Sequence, residues 1–361
     1  MTQHFSLRGA LLRLALCTGC SLCSLAVHAS EPRVTWNIAG TTEGLWNISG
    51  GKTGWCNLLE AAVGTRLWKG ARLETGAIAT YNLNLPVADD LQAFSSLDAG
   101  PDKAFRLIQA GISQEAGGWL TAYAGLRNID MDHFTTPFPG LFTNASHGNF
   151  PILSSNFPLA TYPLAALCLH LEFHPTENLT LRESVYNGVA SDRLDRQFRF
   201  CPGSDGVFNI ASLNYHVGPE EEHHGFYTLG YACGSSPAEE GAGGKTFNYA
   251  LWGLVEQPFL HIGENHLGAL LQGGTSPAGR SECRYYWGAG LILTCLQGKG
   301  IRAGIVVNRA VYATDRETDV ELTGSFPVCD WLTFQPALHH IRTNGHAIVA
   351  AQLRAVVEFG N

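Results

Sequence analysis

Residues Leu164–His174 read LAALCLHLEFH, a stretch in which apolar and polar side chains alternate. The apolar positions are Ala165, Leu167, Leu169, Leu171 and Phe173, and the positions between them include Cys168, His170, Glu172 and His174. A period of two is typical of a β-strand with one apolar and one polar face. Residues Trp119–Arg127, WLTAYAGLR, alternate in the same way. The two stretches therefore predict two strands that each separate an apolar from a polar environment.

The segment that joins these strands is Asp130–Pro163, DMDHFTTPFPGLFTNASHGNFPILSSNFPLATYP. It follows neither the helical nor the strand period and is rich in Pro, Asn, Ser and Thr. A structureless segment of this length is usually a functional loop or disordered chain. Its aromatic residues are Phe134, Phe138, Phe142, Phe150, Phe157 and Tyr162. Because disordered segments contain few aromatic residues, we predict an ordered loop that packs against the rest of the protein.

Residues 1–29 have the features of a secretory signal peptide. Arg8 and Arg13 lie near the start, an apolar run follows, and Val-His-Ala precedes Ser30. A lipoprotein signal ending at Cys20 or Cys23 is the alternative, but no small-residue box precedes either cysteine. We therefore predict export of the chain, with residues 30–361 as the mature domain.

The mature chain is acidic and contains an odd number of cysteines. Without the two signal arginines it has 21 basic and 31 acidic residues, a net charge of −10. This balance argues against nucleic acid or an anionic membrane surface as a partner. Seven of the ten cysteines follow the signal, without a CxxC or metal-ligand spacing. At least one of the seven is therefore free or joined to another molecule.

The strand pattern of residues 119–174 recurs along the mature chain. About sixteen alternating segments, from Val34–Asn47 to Ala347–Phe359, are separated by turn residues, which is the signature of a transmembrane β-barrel. The mature chain contains no stretch of about eighteen apolar residues, so the sequence predicts no membrane-spanning helix there. Lipid cannot satisfy unpaired backbone groups, so a membrane sheet closes on itself. The sequence therefore predicts an all-β fold, a transmembrane antiparallel β-barrel of about sixteen strands.

The connections between the segments predict the orientation of this barrel. Short turns are predicted at Lys69–Gly70, His174–Asn178 and Gln297–Gly300, and mostly longer loops at 82–103, 129–163, 189–205 and 234–245. Outer-membrane barrels have short periplasmic turns and long extracellular loops. A barrel of about sixteen strands encloses an aqueous channel. We predict that 129–163, the longest outer loop, folds into this channel as a constriction loop.

The polar faces of the strands predict the lining of the channel. By alternation they include Glu60, Arg66, Arg72, Glu74, Tyr123, Arg127, His170, Glu172, Arg182, Arg302, Glu321, Arg354 and Glu358. Both charge signs are interleaved, which suits a neutral, hydroxyl-rich solute better than an ion. Phe138, Phe142 and Tyr123 can present apolar faces to sugar rings. Glu183 is the exception, because alternation places its carboxylate on the lipid side.

The chain resembles the carbohydrate-selective porins of the OprB family. The resemblance rests on GLRNIDMDHFTTPFPGLFTNASHG and LSSNFPLATYPLAALCLHLEFHPTENLTLRESVYNG within 125–188, on YYWGAGLILTCLQGKGIRAGIVVNRAVY, and on WLTFQPALHHIR. It implies a sixteen-stranded outer-membrane barrel for passive, sugar-preferring diffusion, with charged residues and inward-folded loops at a constriction. By this resemblance Arg127, Asp130 and Asp132 are the first constriction candidates. The full set of expected channel residues is Arg127, Asp130, Asp132, Arg72, Glu74, Tyr123, Phe138, Phe142, His170, Glu172 and Arg182.

The resemblance also implies partners. Small sugars, outer-membrane lipids and the barrel-assembly machinery are expected as partners, and a homotrimer is compatible with the resemblance. The terminal phenylalanine that this machinery reads is here Phe359, followed by Gly360-Asn361. No catalytic residue, metal or cofactor is expected, and lumen lining is preferred to metal binding for His170, Glu172 and His174.

Three other functions remain open. A general, non-selective porin would have the same barrel. An outer-membrane enzyme would need a Ser/His/acid group or paired aspartates near the rim, but no motif selects them. A secreted β-sandwich or adhesin would bury its apolar faces on each other instead of on lipid.

Overall fold

The computed structural model describes residues 32–88, 94–98, 100–134, 136–218, 225–238, 243–263, 265–295 and 300–361; the predicted signal peptide, 1–29, lies outside them. The described residues form sixteen strands. They are β1 Val34–Asn47, β2 Thr53–Trp68, β3 Ala71–Leu83, β4 Lys103–Ala116, β5 Leu120–Arg127, β6 Ala166–Thr176, β7 Leu179–Asn187, β8 Val207–His216, β9 Phe226–Pro237, β10 Lys245–Ile262, β11 Asn265–Thr275, β12 Cys283–Cys295, β13 Ile301–Tyr312, β14 Arg316–Cys329, β15 Leu332–Arg342 and β16 Ala347–Gly360.

These strands form a single closed barrel. Each pairs antiparallel with its neighbours in sequence, and β1 pairs with β16, with Glu43 opposite Arg354. The predicted number, direction and closure of the strands are confirmed. Closure pairs the backbone groups that would otherwise be exposed at the two sheet edges. Some strand bounds differ from the prediction, and β10 extends to Ile262 instead of ending at Gln257.

The two faces of the wall differ as alternation predicts. In β12, Tyr285 and Trp287 are exposed on the outside, whereas Tyr286 between them is buried on the inside. Exposed aromatic side chains lie near both ends of the outer surface. Trp46 and Trp55 lie at one end, and at the end that holds the chain termini Trp331 stacks on Phe359 at 6.1 Å. Two aromatic girdles around an apolar band match the two interfaces of a bilayer. Glu183 faces outward, as predicted, and receives a hydrogen bond from Asn209 Nδ2.

The connections differ in length at the two ends of the barrel. Very short turns at Lys69–Gly70 and Asp330–Trp331 lie at the end of the barrel where β1 begins and β16 ends. The connections at 128–165 and 188–206 lie at the other end. At the closing seam, Asn361 N donates to Trp36 O at 3.1 Å and Trp36 N donates to Asn361 Oδ1 at 2.9 Å. The two residues after Phe359 therefore continue the β1–β16 pairing.

The described helices are short. Two α-helices, α1 Pro151–Ser154 and α2 Leu194–Gln197, and three 3₁₀ turns at Ile129–Met131, Pro139–Leu141 and Ala145–His147 lie between strands. In the described part of the chain, no helix has the length and apolar character needed to cross a membrane. The seven cysteines beyond the signal are all free thiols.

The connection between β5 and β6 fills part of the barrel interior. Phe150 is fully buried, with ring centroids 5.6 Å from Phe134, 5.8 Å from Trp252 of β10 and 5.1 Å from Tyr286 of β12. Close approach to the wall requires glycine at Gly268, where a Cβ atom would lie 2.3 Å from Phe138 Cζ. The predicted ordered, aromatic loop is therefore observed, and its core is shared with the barrel wall. We call residues 128–165 the inner loop.

A second loop supports the inner loop. In the connection between β3 and β4, Ser96 N donates to Thr143 O at 2.8 Å, and Leu97 O accepts from Tyr162 Oη at 3.1 Å. Asn47 Nδ2 on β1 donates to Val87 O at 3.2 Å. Both loops thus lie inside the barrel and contact each other.

Replacing Phe150 with alanine should loosen the inner loop and leave the barrel closed. The change removes the ring shared by the loop and the wall, and a large-to-small core substitution costs about 3–5 kcal/mol. Limited proteolysis of detergent-solubilised protein should therefore cut the inner loop of Phe150→Ala faster than that of the wild type. Phe198→Ala, at a half-exposed ring in the 188–206 connection, is the control and should not change the cleavage rate. Equal rates for both variants would contradict a wall-anchored loop.

Candidate constriction site

The base of the inner loop is tied together at Asp130. Its carboxylate accepts from Thr161 Oγ1 at 2.7 Å and from Tyr162 N at 2.7 Å, and Ile129 N donates to Ala160 O at 2.7 Å. Burial raises the pKa of Asp130 above its ordinary value, and the hydrogen bonds from Tyr162 and Thr161 only partly oppose this shift. Asp130 therefore joins the two ends of the loop, which fixes where the loop enters the barrel.

Arg127 connects the wall to the inner loop. At the end of β5, its Nη2 lies 2.7 Å from Asp132 Oδ1, and its Nη1 lies 3.6 Å from Glu74 Oε2 on β3. The guanidinium also lies over the ring of Tyr123, 4.6 Å from the centroid, in cation–π geometry. Gln109 Nε2 on β4 donates to Glu74 Oε2 at 2.6 Å. These contacts hold Arg127 in one orientation at the junction of the wall and the loop.

A second charged group adjoins the first. Arg182 Nε on β7 donates to Glu172 Oε1 on β6 at 2.7 Å, and Arg182 Nη1 donates to Asp132 O at 2.9 Å. His170 Nε2 lies 3.6 Å from Glu172 Oε1 and 3.7 Å from Asp132 Oδ1. The acids and arginines alternate, so each buried carboxylate has a cationic neighbour. We call Glu74, Arg127, Asp132, His170, Glu172 and Arg182 the charged ladder.

The structure brings together seven of the eleven predicted channel residues, the six of the charged ladder and Tyr123. Arg72 lies apart from them and donates to Thr35 Oγ1 at 2.7 Å. Phe138 and Phe142 are 2% and 5% exposed, because their rings pack between the inner loop and the opposite wall. They therefore do not present open faces to the lumen, and their predicted contact with sugar rings has no support in this arrangement.

The far side of the inner loop contacts β10 to β15. Glu256 on β10 accepts from Phe138 N at 3.1 Å, and Arg302 Nη1 on β13 donates to Pro137 O at 3.0 Å. Thr143 N donates to Glu321 Oε1 on β14 at 2.7 Å. Alternation correctly predicts that Arg302 and Glu321 face inward, but the sequence contains no signal that pairs them with this loop.

His133 and Ser184 are two further members of the site that the sequence did not indicate. Ser184 Oγ on β7 lies 2.7 Å from His170 Nδ1 and 2.9 Å from His133 Nε2. His133 Nδ1 lies 3.4 Å from Ser212 Oγ on β8. A lone histidine in an irregular segment has no period that predicts its direction. Only the path of the loop across the barrel places it against β7.

Two groups of side chains have the composition of a metal site. Asp132, His170 and Glu172 form one, and Asp319, Glu321 and His339 form the other. In the first group Arg127 and Arg182 already supply positive charge to the carboxylates. The second group lies on β14 and β15, where it contacts Thr143 and Asn144, which we call the tip of the inner loop.

The family model of the carbohydrate-selective porins, OprB family, matches residues 52–359. The chain belongs to this family. It is an outer-membrane β-barrel porin through which small sugars diffuse passively, and its place is the bacterial outer membrane. No curated protein sequence matches the chain.

Solved porin structures share the fold of this OprB-family chain. Pseudomonas putida OprB at high pH has a TM-score of 0.75 and 16% identity, over 90% of this chain and 94% of that chain. The in-vitro-folded trimer form of Vibrio cholerae OmpT has a TM-score of 0.56 and 9% identity, over 90% and 99%. The anion-selective porin from Comamonas acidovorans has a TM-score of 0.56 and 10% identity, over 90% and 98%. At these identities the likeness shows the fold.

The stability of this OprB-family barrel should depend on the protonation of His133. Burial, followed by the nearby His170 and Arg182, lowers the pKa of His133 well below its ordinary value. Below about pH 6.5 the unfolded chain takes up a proton that the folded chain does not, so the contribution of His133 is present above this pH and is lost as the pH falls.

The difference in thermal midpoint between wild type and His133→Gln measures this contribution. As the pH falls from about 7.5 to 5, the midpoint of the wild type should decrease more than that of the variant, because glutamine takes up no proton. Parallel curves for the two proteins would contradict a neutral, buried His133.

Proposed function

We propose that the charged ladder, with Tyr123 and the adjoining side of the inner loop, is the sugar-preferring constriction of this porin. The observation that carries the proposal is the alternation of acids and arginines across β3, β5, β6 and β7. Glu74, Arg127 and Arg182 keep part of their side chains exposed, at 24%, 11% and 12%. They can therefore offer donors and acceptors to a passing solute while their charges remain paired.

Paired charges favour sugars over ions for a physical reason. An unpaired row of one sign would attract counter-ions, whereas three carboxylates interleaved with two guanidinium groups have a weaker net field and many hydrogen-bonding groups. An arginine fork bonded to a carboxylate still has free N–H donors, and a carboxylate has further lone pairs. Sugar hydroxyls can exchange with water at such groups, and a weak site of this kind lets the solute leave as readily as it enters.

We infer that transport proceeds without catalysis. Ser184, His170 and Asp132 have the residue types of a hydrolytic triad, but Ser184 is 0% exposed and is enclosed by two histidines. A nucleophile needs access to the substrate carbonyl and a nearby oxyanion site. Ser184 is better explained as a hydrogen-bonding bridge that holds His133 of the loop to His170 of the wall.

Arg127→Gln tests the constriction. Purified protein is placed in liposomes, and swelling is compared for glucose, a disaccharide and a neutral amino acid of similar size at matched osmolarity. The wild type should admit glucose faster than size alone predicts. Arg127→Gln should reduce the preference for sugar over amino acid by about tenfold or more, because a charge-assisted hydrogen bond contributes about 1.5–3 kcal/mol.

Arg193→Gln is the matched control, since Arg193 is exposed on the 188–206 connection and pairs only with Asp195 among the described residues. It should keep the wild-type preference. Wild-type entry that follows size alone would indicate a general porin and would refute the sugar preference of this site. A wild-type preference that survives Arg127→Gln would remove Arg127 from the constriction.

We also propose that the barrel forms a homotrimer through the outer faces of β1 to β3. Small residues lie there at Gly40 and Ala79, beside a polar pair in which Thr42 Oγ1 is 2.7 Å from Asn57 Oδ1. Polar groups at the lipid face are unfavourable, whereas small residues allow two walls to approach closely. The trimer form of Vibrio cholerae OmpT, which shares the fold, supports the same number of subunits.

Ala79→Trp tests this interface. The bulky ring should fill the outer surface between Gly40 and Ala79 and shift the protein toward monomers. The number of subunits is measured by light scattering of the protein–detergent complexes after size-exclusion chromatography. Ala303→Trp makes the same change on the outer face of β13 and should leave the trimer intact. A monomeric wild type, or trimers in both variants, would contradict the proposed face.

A further inference from the structure

The tip of the inner loop lies on three fully buried, inward-facing side chains. Asp319 and Glu321 of β14 and His339 of β15 are each 0% exposed, and one ligand atom of each lies within 4.8 Å of the others. His339 Nδ1 lies 3.0 Å from Asp319 Oδ2. Thr143 N and Asn144 N donate to the two oxygens of Glu321 at 2.7 and 3.2 Å. We call Asp319, Glu321 and His339 the tip triad.

The tip triad differs in its charge balance from three other buried acids, Glu43, Asp132 and Glu172. Glu43 has Arg354 at 2.7 Å, Glu172 has Arg182 at 2.7 Å, and Asp132 has Arg127 at 2.7 Å. In the described part of the chain, neither Asp319 nor Glu321 makes an ion pair with lysine or arginine. Two ionised carboxylates away from water require a compensating positive charge. His339 can provide at most one.

A second observation points to a cation. Asp319 Oδ1 and Asn308 Oδ1 are both buried and have no hydrogen-bond partner among the described residues. Asn308, 0% exposed on β13, stands directly opposite Asp319 in the β13–β14 register. Two buried oxygens without donors, on residues paired across neighbouring strands, match the requirement of a metal ion for lone pairs, because a buried oxygen without a partner is otherwise unfavourable.

The hydrogen bonds of His147 orient the Asn308 amide. Its Nε2 lies 3.0 Å from Asn308 Nδ2, and its Nδ1 lies 2.8 Å from the Gln272 amide, which is also 2.6 Å from Tyr286 Oη. A neutral imidazole donates at one nitrogen and accepts at the other. Asn308 Nδ2 faces His147 Nε2, so Asn308 donates there when Nε2 is the accepting nitrogen. The Asn308 oxygen then remains available on the side of Asp319.

We propose that the tip triad and Asn308 bind a divalent first-row transition-metal ion. The donors are one imidazole nitrogen, two carboxylates and one amide oxygen. Imidazole favours Zn²⁺ and related ions over Ca²⁺ and Mg²⁺, and carboxylate oxygens are shared by Zn²⁺ and Mn²⁺. The same carboxylates hold Thr143 and Asn144, so the bound ion stabilises the tip of the inner loop on the wall. This site is separate from the charged ladder and does not depend on its role.

Metal binding by the purified, detergent-solubilised protein tests the assignment. The protein is stripped with EDTA, checked for a folded barrel by heat-modifiable migration, and titrated with Zn²⁺ or Mn²⁺, with Ca²⁺ and Mg²⁺ for comparison. The wild type should take up about one Zn²⁺ or Mn²⁺ per chain, and His339→Gln and Asp319→Asn should each bind at least about tenfold more weakly. Binding should also slow proteolysis of the inner loop.

His340→Gln is the matched control, because His340 is the next residue of β15 and is exposed on the opposite face. It should bind as the wild type does. No uptake of Zn²⁺ or Mn²⁺, uptake of Ca²⁺ alone, or equal uptake by His339→Gln would overturn the proposal, the last by assigning the ion to another histidine. If His339→Gln does not fold, the absorption spectrum of Co²⁺-loaded wild type decides: an unchanged hexa-aqua spectrum refutes the site.

Discussion

Sixteen strands enclose more space than their own side chains can fill, and the rest of the structure follows from this constraint. Lipid forces the wall to close, because β1 and β16 would otherwise expose unpaired N–H and C=O groups. Closure at this strand number leaves a wide interior. The inner loop and the connection between β3 and β4 occupy part of it. The space left open inside the barrel therefore depends on how these loops are fixed to the wall.

The loops are fixed by two kinds of contact with different consequences. Around Phe150 the loop is held by apolar rings shared with β10 and β12, which contribute burial but no direction. Hydrogen bonds and ion pairs at Asp130, Arg127 and Glu321 set its position, because each has a preferred geometry. The aromatic side of the loop thus seals against the wall, while its polar side faces the charged ladder. One segment therefore both fills part of the barrel and contributes Asp132 to the charged ladder.

The wall could be predicted from the sequence because strand alternation is a local property. The neighbours of Leu169 in sequence suffice to assign it to lipid, and those of His170 suffice to assign it to the lumen. The contents of the barrel could not be predicted in this way. Thr143 and Glu321 are 178 residues apart in the chain, and no period relates an irregular loop to a distant strand. For the same reason the sequence predicts that Phe138 faces the open lumen, whereas Gly268 leaves a space for its ring in the wall.

The inner loop is anchored at its base by Asp130, at its tip by Glu321 and along one edge by Ser96 of the neighbouring loop. A loop that is attached at one end only can move within the channel. In a single-channel recording such motion makes the current fluctuate between levels. The inner loop is attached to opposite sides of the wall, so it cannot move without breaking contacts on both sides. An electrical recording of this channel would therefore show a quiet open level, and solutes passing through would cause brief blockades against that steady background.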